Sequence, residues 1–423
     1  MSSNSKLLIL GNGFDLQCSL KSSFDDFMKT RLAKVDEVDN LFKRLHNLPD
    51  ITVTRPDQST IGGNALSYWL WEKGLTVWDF IFYEDKQKRT WYDIEDCIRT
   101  WVDYRLVPEN AFNKPPIQQI CLDYEHSDHQ KGLYINPPIE AKQCVLVYAC
   151  DFYYWNGKPE MLLSILLDQL HHYEKAFAVY LQEQVDKNHE YSSLATSLLL
   201  NLVNDQSSTP ALKANSYDKQ YLGNPESINI LDFNYTYPIM EDWANKPDCL
   251  NVHGLANKGN IIFGIDGTRL KTTHECYANI VKFTKTYRLM ALSRNPHRSL
   301  VRPYLSYSSI GATDMIKFFG HSLGDADYSY FQAIFDGVDL YESNTRLIFY
   351  YNEYRRNTKK KNDKAKSAQE EMFEKVYNLI STYGQTLNSK DHGRNLLHKL
   401  LLEGRLTIKQ SPIYPNHDYY QEY

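Results

Sequence analysis

Apolar positions along the chain follow two rhythms, and the changes between them outline the fold. The first strong signal is a continuous run, Leu7-Leu8-Ile9-Leu10, which reads as a strand covered on both faces. It runs into Gly11-Asn12-Gly13-Phe14-Asp15, after which Leu16, Leu20, Phe24, Phe27 and Met28 recur at helical spacing. Glycines free the backbone for a tight turn and admit close approach. Amides in such a turn suit a phosphate; a plain tight turn is the alternative. Residues 314–335 repeat the device: an apolar run, Gly320-His321-Ser322-Leu323-Gly324, then a helical pattern.

Helices are predicted over 91–102, 159–186, 192–203, 366–382 and 393–403. The longest carries one stripe from Met161 through Leu166, Leu170, Tyr173 and Phe177 to Leu181. Strands are predicted over 228–234, 250–254, 260–266 and 345–354, each short, β-rich and bounded by turn residues. KQCVLVYAC, 142–150, suits a strand, although its periodicity does not separate strand from helix. Residues 50–65 read as a loop, and 105–140, with Pro108, Pro115, Pro116, Pro137 and Pro138, as irregular. Strands and helices alternate at both ends around a helical middle. This predicts a doubly wound, mainly parallel α/β sheet from residues 1–30 and 225–423, with 31–224 as a large helical insertion.

Composition narrows the function. The 423 residues carry a net charge of -5, so no overall basic field draws the chain to nucleic acid or anionic lipid. The basic stretch 355–366 reads as a solvated loop, with a nucleic-acid patch as the alternative. Seven cysteines include no CxxC pair, which predicts free thiols in a reducing compartment and no metal. No signal-peptide pattern and no apolar run near 20 residues occurs, so the expectation is a cytoplasmic chain with no membrane partner.

In doubly wound sheets ligands bind beyond the carboxyl ends of the strands. Five predicted strands here exit into small or polar residues: Gly11-Asn12-Gly13 with Asp15, Asp232-Phe233-Asn234, His253-Gly254, Gly320-His321-Ser322, and Asn352-Glu353. Together they suggest one polar crevice. His253 would be a base near neutral pH, since an unperturbed imidazole titrates at about 6.5. Asn234 offers both a donor and an acceptor. The bland alternatives are a turn-forming Asn234, a hydrogen-bonded core His253, an Asp15 that caps a helix beginning near Leu16, and Asp325 and Asp327 as helix starters. His321, His171 and His172 are read as structural. Asp15, Asp232, Asp266, Asp325 and Asp327 would form a nuclease metal cluster if they converged.

ILGNGFDL, SSFDDF, DFNYT, VHG, IIFGID and FFGHSLGDADYSYF resemble, in order, the blocks of the AbiH family of bacterial abortive-infection proteins. That resemblance implies a role in phage defence and gives Glu95 a weak functional case. The same blocks are similar to a degenerate sirtuin pattern on a Rossmann-like sheet. Gly11-Asn12-Gly13 stands for the phosphate loop, Phe233-Asn234 for Gln-Asn, His253-Gly254 for His-Gly, Gly320-His321-Ser322 for Gly-Thr-Ser, and Asn352-Glu353 for the last strand's Asn. The sirtuin resemblance implies NAD as substrate, cleaved at the nicotinamide–ribose bond. Asn234 and His253 would be catalytic, and Gly11, Asn12, Gly13, Asp15, Gly320, Ser322 and Asn352 would bind the nucleotide. The sirtuin zinc module and acetyl-lysine channel have no counterpart, so hydrolysis fits better than deacetylation. Asp15 stands where sirtuins carry a small hydroxyl residue, which leaves the nucleotide's identity open. Two other readings stand beside this one: a sensor that binds ADP-ribose or a related nucleotide without turnover, and a nuclease. The partners expected are NAD or a related nucleotide, a phage-derived trigger, and a second copy or a neighbouring gene's product.

Overall fold

Alternation within the first strand explains the centre of the fold. A computed structural model describes residues 5–45, 51–54, 60–63, 70–84, 91–102, 116–126, 141–205, 228–238, 247–267, 270, 276–292, 300–302, 312–324, 327–352, 367–387 and 390–412. In β1 (Ser5–Leu10), Leu7 and Ile9 face one apolar layer and Leu8 and Leu10 the other. Every residue of the apolar run is therefore buried, as a strand covered on both sides requires.

Five more strands join β1 in one all-parallel sheet: β4 (Ile228–Asp232), β5 (Asp248–Asn251), β6 (Thr313–Phe319), β7 (Arg346–Tyr351) and β8 (Leu406–Gln410). Their spatial order is β5-β4-β1-β6-β7-β8. Counted along the chain, that is 3-2-1-4-5-6, the Rossmann order, whose direction reverses between β1 and β6. The doubly wound mainly parallel sheet is thus observed. The edge strand β8 had no sequence signal of its own; it is short and half-buried throughout.

The chain divides into two compact units. One comprises Met1–Ser22, Leu181–Asn257 and Asn295–Tyr423, and the other Ser23–Tyr180 and Lys258–Arg294. In the first unit, the helices Tyr328–Gly337, Ala368–Gly384 and Lys390–Leu402 cover the Leu7/Ile9 face. The helix Tyr191–Asn204 covers the other face with Ala195, Leu198, Leu199 and Leu202. Lys317, buried in the middle of β6, ends that helix by donating to the carbonyls of Leu202, Val203 and Asp205 at 2.5, 3.2 and 2.8 Å. Burial pulls the Lys317 ammonium down to about 7, with like charge from Lys6 adding to the shift and Asp205 opposing it.

The second unit is built around rings. Phe24, Phe27, Phe82, Tyr173, Phe177 and Phe263 meet with centroids 4.9 to 6.4 Å apart. This accounts for two of the sequence blocks. In SSFDDF, the Ser23 hydroxyl accepts from the Asp26 N–H at 3.1 Å, and Phe24 and Phe27 enter the ring cluster. In IIFGID, Phe263 enters the cluster, its N–H donates to Glu174 at 2.6 Å, and Arg288 clasps both Glu174 and the Phe263 carbonyl.

Four local expectations are corrected. Residues 260–266 form a buried extended loop rather than a strand, with one bridge from Ile265 to Thr284. Its apolar residues are held by side-chain partners and not by a ladder. Segment 142–150 is helical, within Ala141–Tyr153; nearly all its residues are buried, so burial erased the periodicity that marks a helix. The 50–65 loop contains an antiparallel hairpin, β2 (Ile51–Thr54) with β3 (Thr60–Gly63), favoured by β-branched residues. Within 105–140, Pro116–His126 is a helix that starts on its proline, where the missing N–H leaves nothing unsatisfied. Residues 105–115, 127–140 and 355–366, with Asp325 and Glu353, lie outside the described residues.

Candidate functional site

The exits of β1 and β6 meet backbone to backbone. The Gly11 N–H donates to the Phe319 carbonyl and the Gly13 N–H to the Gly320 carbonyl, both at 2.9 Å. A Cβ on Gly11 would lie 2.5 Å from His321 Cα, and one on Gly13 would lie 2.6 Å from Gly320 Cα. Gly320, at φ +71°, has a left-handed backbone, and a Cβ there would press on the Phe14 nitrogen. The visible role of these glycines is therefore to let two strand exits touch. The Gly11 and Gly13 amides are already engaged, so a phosphate would have to be read by other groups.

Next to this contact lies a buried carboxyl network. Asp15 accepts from the Tyr191 hydroxyl at 2.8 Å and from the Thr236 hydroxyl at 2.7 Å. Burial raises its carboxyl to about 6, against the two hydrogen bonds that lower it. Asp232, at the end of β4, accepts from the Asn234 N–H at 2.9 Å and from Asn251 Nδ2 at 3.0 Å. Burial, and then the nearby Asp15 charge, push Asp232 far above the usual carboxylate range. The capping reading of Asp15 is corrected: the helix begins at Gly13, and Asp15 sits inside it with its carboxyl turned into the core.

Asn234 and His253 occupy equivalent places. Each lies two residues beyond a member of the pair Asp232↔Asn251 that closes the β4–β5 ladder. Asn234 is 2 % exposed. Its amide lies against Asp232, yet neither Oδ1 nor Nδ2 has a hydrogen-bond partner among the described residues. Buried polar side chains are seldom left this way. His253 is also buried, with Phe233, Tyr235 and Tyr330 around its ring.

Two residues that sequence reasoning set aside complete the cluster. Asp327 places Oδ1 3.4 Å from His253 Nε2 and Oδ2 3.3 Å from His321 Nε2. It precedes the helix Tyr328–Gly337, as a helix starter would, but makes no side-chain cap bond there. His321 stands against Phe233, with ring centroids 4.4 Å apart. The available signal is the dense polar run after β6, in which the sequence reading gives Gly320 and Ser322 to the nucleotide, Asp327 to a helix start or a metal cluster, and His321 a structural role.

The other nucleotide-binding candidates lie elsewhere along the strand ends. Asn12 accepts from the Ser22 hydroxyl at 2.6 Å. Asn352 donates to Gln17 at 2.9 Å. Ser322 is exposed. Asp266 belongs to the second unit, as do Glu95, which pairs with Lys285, and His171 and His172. Among the described residues no three His, Cys, Asp or Glu side chains are grouped to hold a metal ion, so the acidic cluster required by the nuclease reading does not form there. Nor, among those residues, is any helix long and apolar enough to cross a membrane.

A six-stranded, all-parallel sheet in Rossmann order, with polar residues beyond its carboxyl ends, defines a doubly wound α/β protein. A sequence model described as bacteriophage abortive infection AbiH matches residues 7–351, and the chain belongs to that family. Its biological setting is thus abortive infection by bacteriophage. No curated protein and no solved structure matches the chain.

Proposed function

We propose that this chain is an abortive-infection effector that hydrolyses NAD at the nicotinamide–ribose bond. The observation that carries the reading is the buried Asn234 amide, without a hydrogen-bond partner among the described residues, two positions beyond β4, with His253 two positions beyond the adjacent β5 in a Rossmann-ordered sheet. A donor and an acceptor left unmade in the core are a standing cost of about 1–3 kcal/mol, which a polar ligand would offset.

The chemistry asks little of the protein. The carbon–nitrogen bond breaks with its electron pair moving to the pyridinium nitrogen, so nicotinamide leaves neutral without a general acid. Positive charge builds on the ribose in an oxocarbenium-like transition state. A water oxygen bonds to the anomeric carbon, and its proton passes to His253 and then to solvent. The products are ADP-ribose, nicotinamide and one proton. Asn234 orients the ribose hydroxyl and the water through its carbonyl and amide.

The test is chromatography of NAD incubated with the purified full-length chain, with and without a phage lysate. Equal amounts of nicotinamide and ADP-ribose are expected. Intact NAD in cells dying from the wild-type chain overturns the reading. A thermal shift with NAD or ADP-ribose but no turnover would replace it with a sensor.

A further inference from the structure

We propose that Asn251 is a positioning residue: its side-chain amide clamps the turn that follows β4 and thereby holds the Asn234 amide where it meets the substrate. The substrate rests on the reading of Asn234 given above; the clamp rests on geometry.

The clamp follows from where the strand ladder stops. β4 and β5 are parallel, and their last pair is Asp232 with Asn251. Side chains alternate between the two faces of a sheet, so paired residues share a face. The register alone thus sets the Asn251 amide beside the Asp232 carboxyl. The Val252 N–H, which donates to the Asp232 carbonyl at 2.9 Å, closes the ladder. Beyond it, residues 234–236 lie outside the strand, and buried main-chain groups there still need partners. Side chains supply most of them. Asn251 Nδ2 donates to Asp232 Oδ2 at 3.0 Å, to the Asn234 carbonyl at 3.1 Å and to the Thr236 carbonyl at 2.8 Å. Asp232 Oδ1 accepts from the Asn234 N–H at 2.9 Å. The Tyr235 carbonyl accepts from the Ala256 N–H at 2.8 Å.

Asn234 is thereby divided in two. Its main-chain N–H and carbonyl are both bonded, by the side chains of the two residues that close the ladder. Its own side chain is buried and has no hydrogen-bond partner among the described residues. Rotation about the backbone would let that amide search for a partner, and the clamp removes the freedom to do so. The far end of the turn is tied as well, because the Thr236 hydroxyl donates to Asp15, which Tyr191 also holds. The chemistry asks for asparagine at position 251. A carboxamide nitrogen brings two hydrogens to three acceptors. Aspartate, of the same shape, would set acceptors against acceptors, and leucine would leave all three unmet.

Selective ¹⁵N-asparagine labelling of the full-length chain, with Asn234 assigned through Asn234→Leu and Asn251 through Asn251→Gln, reads both carboxamides by NMR. In Asn251→Leu the Asn234 side-chain signal should move or broaden, and in Asn251→Gln, which keeps the donor, it should return most of the way. An unmoved Asn234 signal in a folded Asn251→Leu overturns the clamp. If Asn251→Leu does not fold, the wild type decides: the hydrogen-bonded Asn251 carboxamide protons should lie downfield of those of Asn234, and the reverse order overturns the clamp. In NAD turnover, Asn251→Leu should lower kcat roughly 10- to 100-fold with KM within about twofold, as a displaced reacting group does. Added to Asn234→Leu, the same change should cost no more than about twofold further, because a positioning residue acts only through what it positions. Fully additive losses would place the action of Asn251 elsewhere and overturn the proposal. A shifted Asn234 signal with no NAD turnover would retain the clamp and sink the hydrolase. Turnover unchanged in a folded Asn251→Leu would retain the hydrolase and sink the positioning role.

Discussion

Buried charge in the second unit and buried polarity at the sheet exits are handled in opposite ways. In the second unit, Arg31 meets Asp79 through two bonds of 2.6 and 2.7 Å, and Asp79 also accepts from Thr76. Glu174 is likewise closed by Arg288 and the Phe263 N–H. These are complete internal pairs, as burial demands. At the sheet exits, Asn234 is as deeply buried, yet both its amide atoms go without a hydrogen bond among the described residues. Closed networks hold a fold together, whereas an open one held in place by its neighbours is available to a ligand.

The largest test of that contrast changes the open side. Asn234→Leu and His253→Ala should each lower NAD hydrolysis by about 100- to 10,000-fold. Asn234→Leu should not lower the thermal midpoint, because the amide has no native bond to lose. A large loss of stability there would show Asn234 to be structural and would break the comparison. On the closed side, Asp79→Ala strands the buried Arg31 guanidinium, and urea unfolding should register a loss of about 3–5 kcal/mol.

Asp15 gives a smaller, pH-dependent effect. Folded Asp15 keeps its proton to about pH 6, while the unfolded carboxyl loses it near 3.8. The stability it contributes is complete below about pH 4 and is lost as the pH rises to about 6. Asp15→Asn should flatten that decline, with at most ~3 kcal/mol recovered at neutral pH in denaturant titrations. A decline equally steep in the variant would assign it to other groups. The smallest effect is expected at Ser322, whose side chain is exposed. Ser322→Ala should change the unfolding free energy by no more than about 0.5 kcal/mol in urea titrations, and a larger loss would show the hydroxyl to be structural.

Strand identity was legible in several places where a short apolar run ended in small or polar residues. β1, β4, β6 and β7 all have that form, and the sheet follows from them. Legibility failed where an apolar run carried neither strand alternation nor helical spacing and its partners lay far along the chain. Residues 142–150 and 260–266 each centre on such a run, and one became a helix and the other a loop fixed by Glu174 and Arg288. In the site, residue types pointed to Asn234 and His253, because a strand exit is a local feature. The placing of Asp327 3.4 Å from His253 and 3.3 Å from His321 depends on which way the loop after β6 turns, which no local pattern records. Likewise, GNG has the same letters whether its amides face a ligand or the neighbouring strand; only the pairing of β1 with β6 decides.

The glycine contact between β1 and β6 also sets a timetable. β1 leaves the ribosome first, yet its two sheet neighbours are β4 and β6, and the second begins at Thr313. At roughly 5–20 residues per second, β1 waits on the order of 15–60 s before Gly320 arrives to meet Gly11 and Gly13. Until then the exits of β1 and β6 cannot be in register, and Asp327, carried beyond β6, cannot come near His253 and His321. A nascent or prematurely terminated chain thus carries Asn234 and His253 without the neighbours that β6 and the loop after it supply. Chain order alone withholds that arrangement until β6 has been made.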